Sequence, residues 1–277
     1  MATLTFEFRR SLTKSRVSTS LVLALFGPVM LALISVLNKW EEIPYPLMVI
    51  GIFQFLAIFL SVLLWATPVV FSELEGKTWT YIAIRPNGRL VSMVGKYLNA
   101  VFWAILTSVI SLTLSCVVIS NFPWQSFEDE IPRNARNIAE IKSDWMEMFA
   151  FSADPVVIWW CLFPAIVFGS MALSAIFVHV GLITHKRGMV FAVIYAIVET
   201  VFAFLPAIVR QFTVGFHMRN IAFKHSEFRF PDAPEGILTD FSAIWVHYVG
   251  LIIIALIHLG ASIYWLHSRE FITAEEA

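Results

Sequence analysis

The sequence predicts an all-α fold: a polytopic integral membrane protein with six transmembrane helices and both termini in the cytoplasm. Three observations predict it. Hydrophobic residues make up 58% of the 277 residues and charged residues 14%, against roughly 45–50% and 25% in soluble domains. Six runs are apolar over the ~20 residues that a helix needs to cross ~30 Å of hydrocarbon, and none alternates strictly as a barrel strand does. Lys and Arg also gather densely on alternate connections, next to the ends of the runs. The net charge of −1 gives no footprint for a nucleic-acid partner, so the lipid bilayer is the expected surroundings.

Residues 1–20 read as a cytoplasmic arm. Leu4, Phe8 and Leu12 recur at helical spacing while Arg9, Arg10, Lys14 and Arg16 lie elsewhere, as in a short helix resting on anionic headgroups. The spans follow at 21–37, 46–71, 97–120, 155–184, 189–209 and 243–266. The first is too long for a signal-peptide core and precedes no small-residue cleavage site. Gly27-Pro28 and Pro68 are expected kinks. Basic residues assign the connections: Lys77, Arg85, Arg89 and Lys96 put 72–96 in the cytoplasm, whereas 121–154 and 210–242 fall outside. In the first outer connection, Ile138, Ile141, Trp145 and Met148 follow helical spacing, which predicts an amphipathic surface helix. The second, with "FPDAPEG" at its middle, predicts a hairpin or re-entrant piece followed by a turn.

Within 72–96, Ser72-Glu73-Leu74-Glu75 has the form of a capping box, so a helix is expected to start there. It should stop near Ile84, because Pro86 cannot continue it and biases Arg85 away from helical geometry. Glu73 and Glu75 lie at its positive end and Arg85 at its negative end, each favourable by about 0.3–1 kcal/mol. Leu74, Thr78, Tyr81, Ile82 and Arg85 share one face, with Trp79 beside it. Two placements are open to such a helix: the membrane surface, with Trp79 and Tyr81 in the interfacial belt, or a groove on another protein.

Glu73, Glu75, Gly76, "TWTYIAIRP" from Thr78 to Pro86, Arg89 three residues beyond, and Gly95-Lys96 resemble the signature of the six-span permeases of ABC-2 type ABC transporters. The resemblance covers about 25 residues in motif and the whole chain in topology. It implies that Ser72, Glu73, Glu75, Gly76, Thr78, Trp79, Tyr81, Arg85, Pro86 and Arg89 form a coupling segment that inserts into a separate ABC ATPase subunit. It further implies a second permease chain, identical or related, and a prokaryotic cytoplasmic (inner) membrane. Export is the expected direction, because most members are exporters. Here Lys77 stands between Gly76 and Thr78, where the common form has Gly directly before Thr.

No cofactor is expected on this chain, and no catalysis; ATP and magnesium belong to the partner ATPase. Gly88 to Lys96 lacks the spacing and the following Ser or Thr of a phosphate-binding loop. Cys116 and Cys161 lie in apolar runs and read as small buried hydrophobes. His247 and His258 are 11 residues apart on one helix face, and with His179 they are expected to hydrogen-bond between helices rather than bind haem or metal. Glu199 stands at the middle of the fifth span, where a carboxylate costs roughly 2.5–3.5 kcal/mol. It is therefore the candidate for the translocation path, for an interhelical polar contact, or for a hydrogen bond to Ser170, Ser174 or a helix neighbour of Thr200. Two other functions stay open: an intramembrane redox or enzyme subunit, and a non-transporting anchor for an ATPase.

Overall fold

The computed structural model describes residue 9 and residues 12–37, 46–68, 87–121, 154–184, 187–204, 208–226 and 242–268. Among these there is no strand. The helices in chain order are α1 (Lys14–Leu37), α2 (Pro46–Ala66), α3 (Gly88–Ser120), α4 (Pro155–Thr184), α5 (Gly188–Phe204), a 3-10 helix (Ile208–Phe212), α6 (Val214–His225) and α7 (Ile244–Ser268). Five of them, α1 to α4 and α7, are long and apolar enough to cross a bilayer, as expected of a multi-pass membrane protein. The segments 72–86, 122–153 and 227–241, with the capping box, the outer amphipathic helix and "FPDAPEG", lie outside the described residues.

Several boundaries differ from the sequence reading. The third helix starts at Gly88 rather than 97 and runs for 33 residues, about 50 Å at 1.5 Å per residue. Asn87 precedes it at φ 57°, in the left-handed region that Asn tolerates better than most residues. The second helix stops at Ala66, and Pro68 lies in the turn beyond it, so this proline ends the helix rather than kinking a longer span. α1 and α4 run without a break through Pro28 and Pro164. The fifth helix ends at Phe204 instead of 209. Residues 205–207 lie outside the described residues, and Ile208 and Val209 stand in the 3-10 helix that follows.

α4 is the centre of the bundle and packs on α2, α3, α5, α6 and α7. Its own small residues make this possible, as close helix approach in lipid requires. A Cβ at Gly181 would fall on the carbonyl oxygen of Thr67, and one at Gly169 on the Met218 side chain. At one end of the bundle, Arg89 Nη1 at the start of α3 donates to the Leu266 carbonyl near the end of α7 at 3.4 Å. At the other end, α6 fills the space where α2, α4 and α7 begin and α5 finishes. On α5, Met189, Val190, Phe191, Ile194, Ile197 and Val201 are exposed, which suits a surface met by lipid tails.

Candidate functional site

The site is built around α6. Thr213 caps this helix: its backbone is extended and its Oγ1 accepts from the Phe216 amide at 3.4 Å. Two more amides of the first turn need partners in a place with little water. Glu199 supplies both. Its Oε1 accepts from the Gly215 amide at 2.9 Å, and the Val214 amide also bonds to it. Tyr195, one turn earlier on α5, donates its hydroxyl to Oε2 at 2.7 Å. The carboxylate is only 3% exposed, faces the positive end of α6, and is met by donors at both oxygens, a setting that offsets the penalty of its depth.

The serines expected beside Glu199 do not bond to it. Ser170 and Ser174 are buried in α4 and their hydroxyls have no hydrogen-bond partner. Thr200 Oγ1 turns back to the Ala196 carbonyl at 2.8 Å.

Next to this cap lies a cavity of about 240 Å³. α2 contributes Leu47, Gly51, Ile52, Gln54 and Phe55; α4 contributes Leu162, Ala165 and Ile166. Thr200 and Ala203 of α5 and Gly215, Met218, Arg219, Ala222 and Phe223 of α6 complete the wall. Ile52 is 52% exposed and Thr200 is exposed as well, so the cavity meets the outer surface of the bundle between α2 and α5. Its lining is apolar apart from Gln54, Thr200 and Arg219. Gln54 is 1% exposed, and its Nε2 points at Ser111 Oγ and Ser115 Oγ of α3, 3.4 Å from each. Its Oε1 has no hydrogen-bond partner. Arg219 Nη2 donates to the Ala203 carbonyl at 3.2 Å, across the α5–α6 boundary. A cavity with these walls holds an apolar body and orients it by few polar atoms.

The histidines divide into two groups. His179 Nδ1 bonds Ser262 Oγ at 3.1 Å, and its ring stands edge-on to His258 at 5.4 Å. His247 does not join them. It pairs with His217 of α6, Nδ1 to Nδ1 at 3.1 Å. Among the described residues no group of three or more His, Cys, Asp or Glu converges on a metal-sized space. Cys116 and Cys161 are free and buried.

Of the expected coupling residues, Arg89 alone is described, at the start of α3; Ser72 to Pro86 lie outside. Sequence reasoning missed Tyr195, Gln54, Gly215, His217 and Arg219. Two signals were present: Tyr195 stands four residues before Glu199, on the same helix face, and Thr213 precedes a helix as a capping residue does. Comparison of the chain with protein-family models, with curated proteins and with solved structures finds no match to any of them.

Proposed function

We propose that the chain is the membrane subunit of an ABC transporter of ABC-2 type, paired with a second permease chain and driven by separate ATPase subunits. The observation that carries this reading is the continuity between the motif and the membrane. The last residues of the motif, Arg89 and Gly95-Lys96, stand on α3, which starts at Gly88 and runs 33 residues without a break. A docked segment 72–86 would then move α3 as one rigid rod, with Arg89 tying its start to the end of α7.

In this reading α5 crosses the membrane as well, as the fifth of six spans, both termini are cytoplasmic, and α6 with its cavity lies in the outer half of a prokaryotic inner membrane. The cavity is a station for a substrate with an apolar body, reached between α2 and α5 and bound for export. ATP and magnesium act on the partner, and this chain supplies the path.

The test is affinity purification in mild detergent, with the co-purifying ATPase quantified. A stoichiometric ATPase is expected with the native chain, and at least about a tenfold loss with Glu75→Lys combined with Trp79→Ala. Gly51→Leu, which fills the cavity, should keep the ATPase and lose transport. Recovery of the chain alone, under conditions where intact ABC complexes survive, would overturn the proposal.

A further inference from the structure

The pair formed by His217 and His247 carries more information than a packing contact, because its hydrogens can be placed by elimination. His217 Nε2 is 2.8 Å from the Gln211 carbonyl, which can only accept, so this nitrogen carries a hydrogen. A neutral His217 then presents a lone pair at Nδ1. The 3.1 Å approach of the two Nδ1 atoms therefore needs its hydrogen on His247. That leaves His247 Nε2 as an acceptor, 3.1 Å from Ser242 Oγ, and makes the Ser242 hydroxyl the donor. The result is one directed chain from Ser242 through His247 and His217 to Gln211.

Such a chain accepts one proton with little rearrangement. A hydrogen added at His247 Nε2 points at the Ser242 oxygen, which accepts it once the hydroxyl turns round. The bond between the two Nδ1 atoms persists, and the charge is shared across it. A second proton would set two N–H groups against each other and lose that bond.

Aromatic and charged groups surround the pair. Phe216 stands edge-on to both imidazoles, at 5.4 and 5.7 Å, and the guanidinium groups of Arg210 and Arg219 lie over its ring at 5.0 and 5.9 Å. Lys224 of α6 bonds the Ser242 carbonyl, and His225 bonds the Tyr248 hydroxyl of α7 at 2.6 Å. α4 offers Cys161 and His179 as its titratable groups and α2 none; the carboxylate of α5, Glu199, is bonded to Tyr195 and Gly215. Among the described residues, then, the charged groups nearest the pair are the cations Arg210, Arg219 and Lys224 and the carboxylate of Glu199. The ring cannot swing aside toward α7. A Cβ at Gly250 would be 2.6 Å from His217 Cε1, so the glycine is the hollow in which the ring rests.

We propose that His217 and His247 form a proton-binding site with a capacity of one, joining α6 to the start of α7. Since Met218, Arg219, Ala222 and Phe223 of α6 wall the cavity, occupancy of this site by a proton bears on the cavity beside it. The site goes beyond the permease reading and does not depend on it.

The experiment is nitrogen-15 NMR of the full chain, histidine-labelled, in lipid nanodiscs from about pH 8 to about pH 5, spanning the ordinary histidine range. His217→Gln and His247→Gln assign the signals. The expected result at about pH 8 is His217 with its hydrogen on Nε2, His247 with its hydrogen on Nδ1, and a nitrogen–nitrogen coupling across the bond. On acidification one proton should enter the pair while the coupling persists. Two rings that each take up a proton independently, or His247 with its hydrogen on Nε2 at about pH 8, would overturn the proposal. Both readouts come from the native sequence, so a poorly folding variant does not obscure them.

Discussion

Glu199 on α5 accepts the backbone amide of Gly215 at 2.9 Å, sixteen residues further along the chain. A carboxylate in an apolar helix thereby serves as the end-piece of a second helix, and it ties α5 to the start of α6. Replacing it by Ala leaves two first-turn amides and the Tyr195 hydroxyl without their acceptor in a buried place. Glu199→Ala should lower stability by about 3 kcal/mol, read as a fall in melting temperature in detergent. Glu199→Gln keeps an acceptor oxygen and should fall between Ala and the native chain. A Glu199→Ala protein as stable as the native one would show that α6 does not need this cap.

Tyr195→Phe removes a single donor and leaves the Gly215 and Val214 bonds in place. Its expected effect is about 1 kcal/mol, and in a double-mutant cycle with Glu199→Gln the two losses should be less than additive, since both act on one bond. Additive losses would mean that the hydroxyl acts elsewhere.

Gly181 and Gly260 form a matched pair of tests. A Cβ at Gly181 would collide with the Thr67 carbonyl, which is backbone and cannot turn away, whereas at Gly260 it would meet nothing within 4 Å. Gly181→Ala should therefore cost about 1–3 kcal/mol. Gly260→Ala should be neutral or stabilising by up to about 1 kcal/mol, because Ala is the better helix former. Thermal denaturation of both variants decides the matter, and equal behaviour would argue against the close crossing of α2 and α4.

Gln54 looks important by its burial, yet a small effect is expected from its loss. Its contacts to Ser111 and Ser115 are long, at 3.4 Å, and hydrogen bonds between membrane helices average about 0.6 kcal/mol. Gln54→Leu should change stability by less than about 1 kcal/mol. It should change ligand selectivity more, because Gln54 is one of the few polar residues in the cavity wall. Denaturation beside binding measurements on the same variant separates the two effects.

The helical class and the centres of the spans were legible because a bilayer makes a simple demand, about 20 apolar residues in a row, and α1, α2, α4 and α7 meet it in plain view. Ends were harder. Gly88 to Lys96 carries charge and so reads as a loop, but α3 extends through it as an ordered helix, since only its later part needs to be apolar. At the fifth span, hydropathy continues to Val209, yet Ile208 and Val209 belong to a separate 3-10 helix. Glu199 was found by its cost alone. Its partners were not, because Gly215 acts through its backbone and any residue type could stand in that role. The histidines show the same limit. Helical spacing correctly places His247 and His258 on related faces, yet His217, in a stretch with little hydropathy, pairs with one of them only because α6 folds back into the bundle.

α5 has 17 residues, about 25 Å of helix, beside neighbours of 30 and 21 residues. If it carries the chain across a hydrocarbon layer of ~30 Å, this flank is too short for the membrane around it, and the lipid there must thin or dimple to meet it, at a fraction of a kcal/mol per Å. The shortfall falls on the helix that bears both Glu199 and a wall of the cavity. Acyl-chain length in the host bilayer is then a setting that acts directly on the site: thin membranes relieve the flank, and thick ones pull on the junction between α5 and α6.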